Sequence, residues 1–220
     1  MTETPTVQTS AGPLDGDEFI VDQPFTMFVN TYFVSRPADD RFAPGELLAF
    51  CRQRAFALKE DLRFHPSETA DEELLRIKAR RTIDVGGRYD VTNADGVVIG
   101  ALERRAGKSL LRTTWGILDA QGTELAFVQE RSLATAVFRR IQNVLQFIPF
   151  VGWALDLALD LIPIPYHFDI MREGERIGHQ TRKHGIRDRY RLAITGDPER
   201  RIDRRLVIAM GVSLDALQSR

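Results

Sequence analysis

Cysteine is almost absent. Cys51 is the only one in 220 residues, so no intrachain disulfide framework is available and the chain suits a reducing compartment. Lysine is scarce too: Lys59, Lys78, Lys108 and Lys183 stand against 26 arginines. The four histidines, His65, His167, His179 and His184, fall in no H-x-H or H-E-x-x-H spacing, and one cysteine cannot complete a zinc site. No metal and no cofactor is expected. Residues 1–24 hold no Lys or Arg and no apolar h-region, so no export signal is expected and the location reads as cytoplasmic. That stretch carries −5 and residues 25–220 carry +4, well short of a nucleic-acid binder's basic footprint.

What is present is a core-forming composition, 43% hydrophobic and 28% charged. Residues 1–17 are polar and rich in Thr, Pro and Gly, and read as a disordered tail. From Glu18 the dominant period is two. Leu111, Thr113, Trp115 and Ile117 alternate with Arg112, Thr114 and Gly116, as half-buried strands do. Asn93-Ala94-Asp95-Gly96 and Asp119-Ala120-Gln121-Gly122 supply hairpin turns between such runs. The pattern predicts strands over about 18–23, 26–35, 47–54, 56–65, 73–80, 87–93, 97–105, 108–119, 124–130, 166–172, 175–183 and 187–195. Many short strands with regular turns imply a sandwich or barrel.

Two segments depart from that period. Residues 132–165 carry a helical pattern, with Val137, Ile141, Val144, Leu145 and Ile148 on one face, and read as a helical insert. Residues 198–218 read as a second helix, with Asp197 as its N-cap and Pro198 at its first position. Its middle, residues 206–212, is apolar on every side yet far shorter than the roughly 20 residues of a bilayer span. Protein must surround it. The chain also repeats itself. Tyr89-Asp90-Val91, Asp95-Gly96, Ile99-Gly100, Arg105 and Trp115 line up with Phe168-Asp169-Ile170, Glu173-Gly174, Ile177-Gly178, Lys183 and Tyr190. The offset is 78 residues at the glycines and 75 at the last aromatics, so two related halves make one fold.

Twelve strands in two halves with an apolar C-terminal helix resemble the tubby C-terminal-like superfamily, which includes the LURP-one-related proteins and the phospholipid scramblases. The residues that carry the resemblance are Ile77-Lys78-Ala79-Arg80, Gly87-Arg88-Tyr89-Asp90-Val91, Asp95-Gly96 with Ile99-Gly100, Lys108-Ser109-Leu110-Leu111-Arg112 and Asp203-Arg204-Arg205-Leu206. The resemblance implies a closed barrel, 18–220, wrapped around the 198–218 helix. The 132–165 insert is longer than the linker the resemblance implies. The acidic calcium-binding segment of animal scramblases has no counterpart in Thr195-Gly196-Asp197-Pro198-Glu199-Arg200, so calcium-activated scrambling does not carry over.

Other motifs fail on inspection. Ala106-Gly107-Lys108-Ser109 lacks the first glycine of a phosphate loop, since position 102 is Leu, and it leads into a strand pattern; no nucleotide partner is expected. Asn93-x-Asp95-Gly96 has Val91 and Leu102 where a calcium loop needs ligands. No G-x-S-x-G elbow occurs, so the chain reads as non-enzymatic, with no catalytic residue assigned. The candidate lipid- or phosphate-binding residues are Lys78, Arg80, Arg81, Arg104, Arg105 and Lys108, because guanidinium forks and ammonium groups take phosphate oxygens. Phe147, Phe150 and Trp153, in the apolar tip of the insert, are candidates for membrane insertion or a partner contact. Asp156 and Asp160 would each cost about 2.5–3.5 kcal/mol at a bilayer centre, which argues against a span. Two functions follow: a scramblase-like module docking peripherally on an anionic phospholipid surface, or a barrel that carries a ligand or binds a protein with no membrane role.

Overall fold

The computed structural model describes residues 12–24, 29–39, 41–54, 61–80, 87–105, 114–131, 167–183 and 188–216. They form twelve strands: β1 (Glu18–Gln23), β2 (Val29–Pro37), β3 (Pro44–Arg54), β4 (Asp61–His65), β5 (Leu75–Ala79), β6 (Arg88–Asn93), β7 (Val98–Arg105), β8 (Thr114–Asp119), β9 (Glu124–Glu130), β10 (His167–Arg172), β11 (Glu175–Lys183) and β12 (Asp188–Ile194). One helix follows, α1 (Arg204–Ala216). Every strand pairs antiparallel with its chain neighbours, and β1 pairs with β12 to close the barrel. Closure leaves no sheet edge open to another chain. The expected β class and closed barrel are what the chain forms. The 132–165 insert, with its expected helices, lies outside the described residues.

Alternation decides which side chains face inward. Phe19 and Val21 of β1, Tyr32 and Val34 of β2, Leu62 and Phe64 of β4, Trp115 and Ile117 of β8 all join one core cluster. They pack around α1, whose Val207, Ile208, Ala209 and Val212 are wholly buried, as an all-round apolar helix requires. Close approach between helix and wall depends on glycine at one position in particular. A Cβ at Gly100 would sit 2.4 Å from the Leu118 carbonyl oxygen and 2.8 Å from Leu206.

Two boundaries differ from the sequence reading. The helix opens at Arg204, not Pro198, and Asp203 caps it by accepting the Arg205 N–H at 2.9 Å. Arg200, at φ 52°, stands in the left-handed region that no helical residue adopts. Asp197 caps no helix; its carboxylate is shared between two arginines and the N–H groups of the turn that follows it, as described below. Residues 12–17, read as tail, lie against the barrel: Leu14 is buried and Asp15 pairs with Arg200 at 2.7 Å.

Because the sheet is a closed antiparallel meander, its connections alternate between two rims. The first rim carries the β2–β3, β4–β5, β6–β7, β8–β9 and β10–β11 turns and the start of α1. The second rim receives the remaining strand ends, including those of β9 and β10 that the 132–165 insert joins, and the last turn of α1.

Candidate functional site

Four of the basic candidates lie within the described residues, all toward the second rim. Lys78 is the penultimate residue of β5 and Arg80 directly follows the strand, while Arg104 and Arg105 end β7. β6 lies between them, so these side chains share one sector of the rim. Arg81, Lys108, Phe147, Phe150 and Trp153 lie outside the described residues.

Pairing divides the four. Arg80 donates from Nε to Asp90 at 3.0 Å and bridges it again through Nη2 at 2.8 Å, and this hydrogen bonding raises its pKa. Arg105 is paired with Glu124 across the surface of Gly116. Lys78 is exposed and opposes Asp90 in register. Arg104 is exposed, and among the described residues no ion pair holds it.

Arg104 also differs in direction. It lies two residues beyond the core residue Leu102, so the strand aims it at the interior rather than the outer wall. The inward position at this rim is polar on several strands: Gln23, Tyr32, Gln53, Arg104, Glu130, Arg182 and Asp188. A network links part of this layer to the helix. Tyr32 Oη donates to Asp215 Oδ2 at 3.1 Å, Tyr190 Oη donates to Asp215 Oδ1 at 2.5 Å, and Gln23 Nε2 donates to Tyr32 Oη at 3.4 Å. Burial pushes the Asp215 carboxyl up, against the opposing pull of the two phenols. Burial and the adjacent Asp215 charge push Tyr190 up as well, so it remains a hydroxyl donor. Arg182 is paired with Asp188.

Trp115 forms the opposite case. Its side chain is fully buried, its ring lies 5.7 Å from that of Tyr89, and its Nε1–H finds no acceptor among the described residues. An indole N–H left so costs about 1–3 kcal/mol. Alternation sets Trp115 on one face of a half-buried strand and the sequence marks Arg104 as a cation, but neither shows that the two oppose each other in register. The signal was there: Arg104 and Arg182 each continue the inward series past its apolar members.

The first rim carries a cleft of about 680 Å³ floored by Leu14, Leu74 and Ile202 and edged by Asn93, Asp95, Arg200 and Arg205. Its arginines are committed. Arg205 grips Asp203 through Nε and Nη2, Arg200 takes Asp15, and buried Arg204 donates to Asp17 at 2.8 Å and to Asp197 at 2.7 Å. Asp197 also accepts from Arg172 at 2.7 Å and from the N–H groups of Arg201 and Ile202 at 3.2 and 3.0 Å. Burial raises its pKa, but these donors outweigh burial and hold the carboxyl at about 2. The basic residues flanking the helix are therefore structural. Among the described residues no cluster of three His, Cys, Asp or Glu could hold a metal, and no helix is long and apolar enough to cross a membrane.

A sequence profile described as LURP-one-related matches residues 48–215. No curated protein matches the chain.

Proposed function

The chain belongs to the LURP-one-related family, and on that premise we propose that it is a non-enzymatic module that docks by its second rim on an anionic phospholipid surface. The observation that supports this reading is topological. The ends of β5 and β7, with Lys78, Arg80, Arg104 and Arg105, open at the same rim as the β9 and β10 ends joined by the 132–165 insert. Arg81 and Lys108 adjoin those strand ends in sequence, and Phe147, Phe150 and Trp153 belong to the insert.

Two weak signals then act together. Cations near an anionic surface contribute up to about 1 kcal/mol each, less for Arg80 and Arg105, whose charge is already paired. This attraction fades beyond about 10 Å at moderate salt. Apolar insertion by Phe147, Phe150 and Trp153 adds the second, salt-independent part, and such combinations bind where one signal alone is marginal. Docking is favoured over scrambling because α1 and its core fill the barrel and leave no lane for a lipid. The same packing disfavours carriage of a ligand inside.

Co-sedimentation with vesicles tests the reading. The protein should pellet with phosphatidylserine-containing vesicles, lose binding as salt rises, and ignore pure phosphatidylcholine at high salt. Phe150→Ala and Trp153→Ala should weaken pelleting with no change in melting temperature. Absence of vesicle binding, or a melting temperature lowered as for truncated core aromatics, overturns it in favour of a protein-binding barrel.

A further inference from the structure

The two repeated halves carry matching construction down to single contacts. Val91 opposes Gly100 and Ile170 opposes Gly178, and a register shift follows each pair. A Cβ on Gly100 would meet the Leu118 carbonyl at 2.4 Å, and one on Gly178 the Ala193 carbonyl at 2.5 Å. In this frame Arg104 corresponds to Arg182 and Trp115 to Tyr190. Each arginine directly opposes its aromatic partner across a strand pair, and both pairs face inward at the second rim.

The halves differ in what these pairs hold. In the second half the ring donor and the arginine each have a carboxylate: Tyr190 donates to Asp215, and Arg182 is paired with Asp188. In the first half both acids are missing. The residue aligned with Asp188 is Thr113, and α1 contains no acid other than Asp215. Glu130 faces the interior from β9, but it has a contact of its own. What remains is a buried indole N–H with no acceptor among the described residues and an exposed guanidinium with no described counter-charge, on residues that oppose each other in register.

We infer that Arg104 and Trp115 form an oxyanion site, the external counterpart of the site that Asp215 fills from within. The ligand is a phosphate group. Its oxygens accept from the guanidinium fork and from the indole N–H together, and the exposure of Arg104 gives it entry from outside. On the membrane-docking reading the source is a lipid headgroup; the inference rests on that reading for the source alone.

Indole N–H resonances read the site directly. The chain has two tryptophans, and Trp115→Phe identifies the Trp115 signal by removing it. Inorganic phosphate, titrated at constant ionic strength against chloride, should shift the Trp115 indole proton downfield and saturably and leave that of Trp153 in place. Arg104→Gln should weaken this response by about tenfold or more, and Arg104→Lys should restore part of it, because the charge survives and the fork does not. In the vesicle arm, Arg104→Gln should pellet several-fold less with phosphatidate-containing vesicles than the unaltered protein. If Trp115 answers phosphate while no vesicle is bound, the oxyanion site stands and membrane docking falls. If vesicles bind while Trp115 ignores phosphate, the oxyanion site falls. Should Arg104→Gln fail to fold, the phosphate response of the unaltered protein and of Arg104→Lys decides.

Discussion

Asp197 and Asp215, one buried and one half-buried, show how two carboxylates can respond to acid in opposite directions. Asp197 is surrounded by donors and held at about 2, below its ordinary value of 3.8. Its contribution is complete above about pH 5 and is lost as the pH falls through 4 toward 2. Urea midpoints measured from pH 6 to pH 2 should therefore fall, and Asp197→Asn should flatten that fall while lowering the plateau. Removing the acid altogether, in Asp197→Ala, leaves buried Arg204 with Asp17 alone and should cost about 3–5 kcal/mol. Asp215 is raised by burial, so the folded state binds its proton more tightly than the unfolded chain does. Its share of stability grows as the pH falls from that raised value toward 3.8. Asp215→Asn, which removes the charge, keeps one acceptor oxygen and sets an N–H donor against the other phenol oxygen, should be close to neutral in urea at pH 7. Asp215→Ala should cost about 1–3 kcal/mol, because two phenols lose their acceptor. Cys51 completes this scale: burial pushes its thiol far up, so a thiol reagent should label it only in denaturant.

Among the elements, the strands were legible and the helix start was not, for a definite reason. Strand signals are local: inward and outward residues alternate along the chain itself, and Gly96 and Gly122 adopt the positive φ their turns require. The helix start depends on distant partners. Asp197 followed by Pro198 has every local mark of a cap, yet Arg172 of β10 and Arg204 claim the carboxylate, and the chain turns through Arg200 before Asp203 caps α1. Contact between α1 and the wall gives the sharpest test at this scale. Gly100→Ala must displace a backbone carbonyl and Leu206, and should destabilise by about 1–3 kcal/mol in urea. Gly116→Ala meets only the ends of Arg105 and Glu124, no nearer than 3.4 Å, and should stay within about 0.5 kcal/mol. Equal effects for the two would refute the packing described. Within α1, Val207→Asp or Ala209→Arg puts an unpaired charge in a closed core and should yield no soluble, cooperatively melting protein.

For the molecule as a whole, the sequence told more about architecture than about the site. The repeat and the apolar helix helped carry the resemblance that implies a closed barrel, because both are properties of long stretches. Arg104 and Trp115, by contrast, become a site only through cross-strand register, which no spacing along the chain encodes. The commitment of Arg80, Arg105 and Arg200 to neighbouring acids was equally hidden, so a count of basic residues overstated the charge on offer. Closure by β1 and β12 carries one more consequence, for synthesis. The strand that begins at Glu18 pairs early with β2 but finds its second partner only when residues 188–194 exist, and the core is filled only by residues 204–216. At about 5–20 residues per second the ribosome takes roughly ten to thirty-five seconds to get from one to the other. Throughout that interval the nascent sheet has two bare edges and an empty centre. Shielding by a chaperone should therefore matter most late in translation, and a ribosome stalled before Arg204 should present a chain that proteases cut freely.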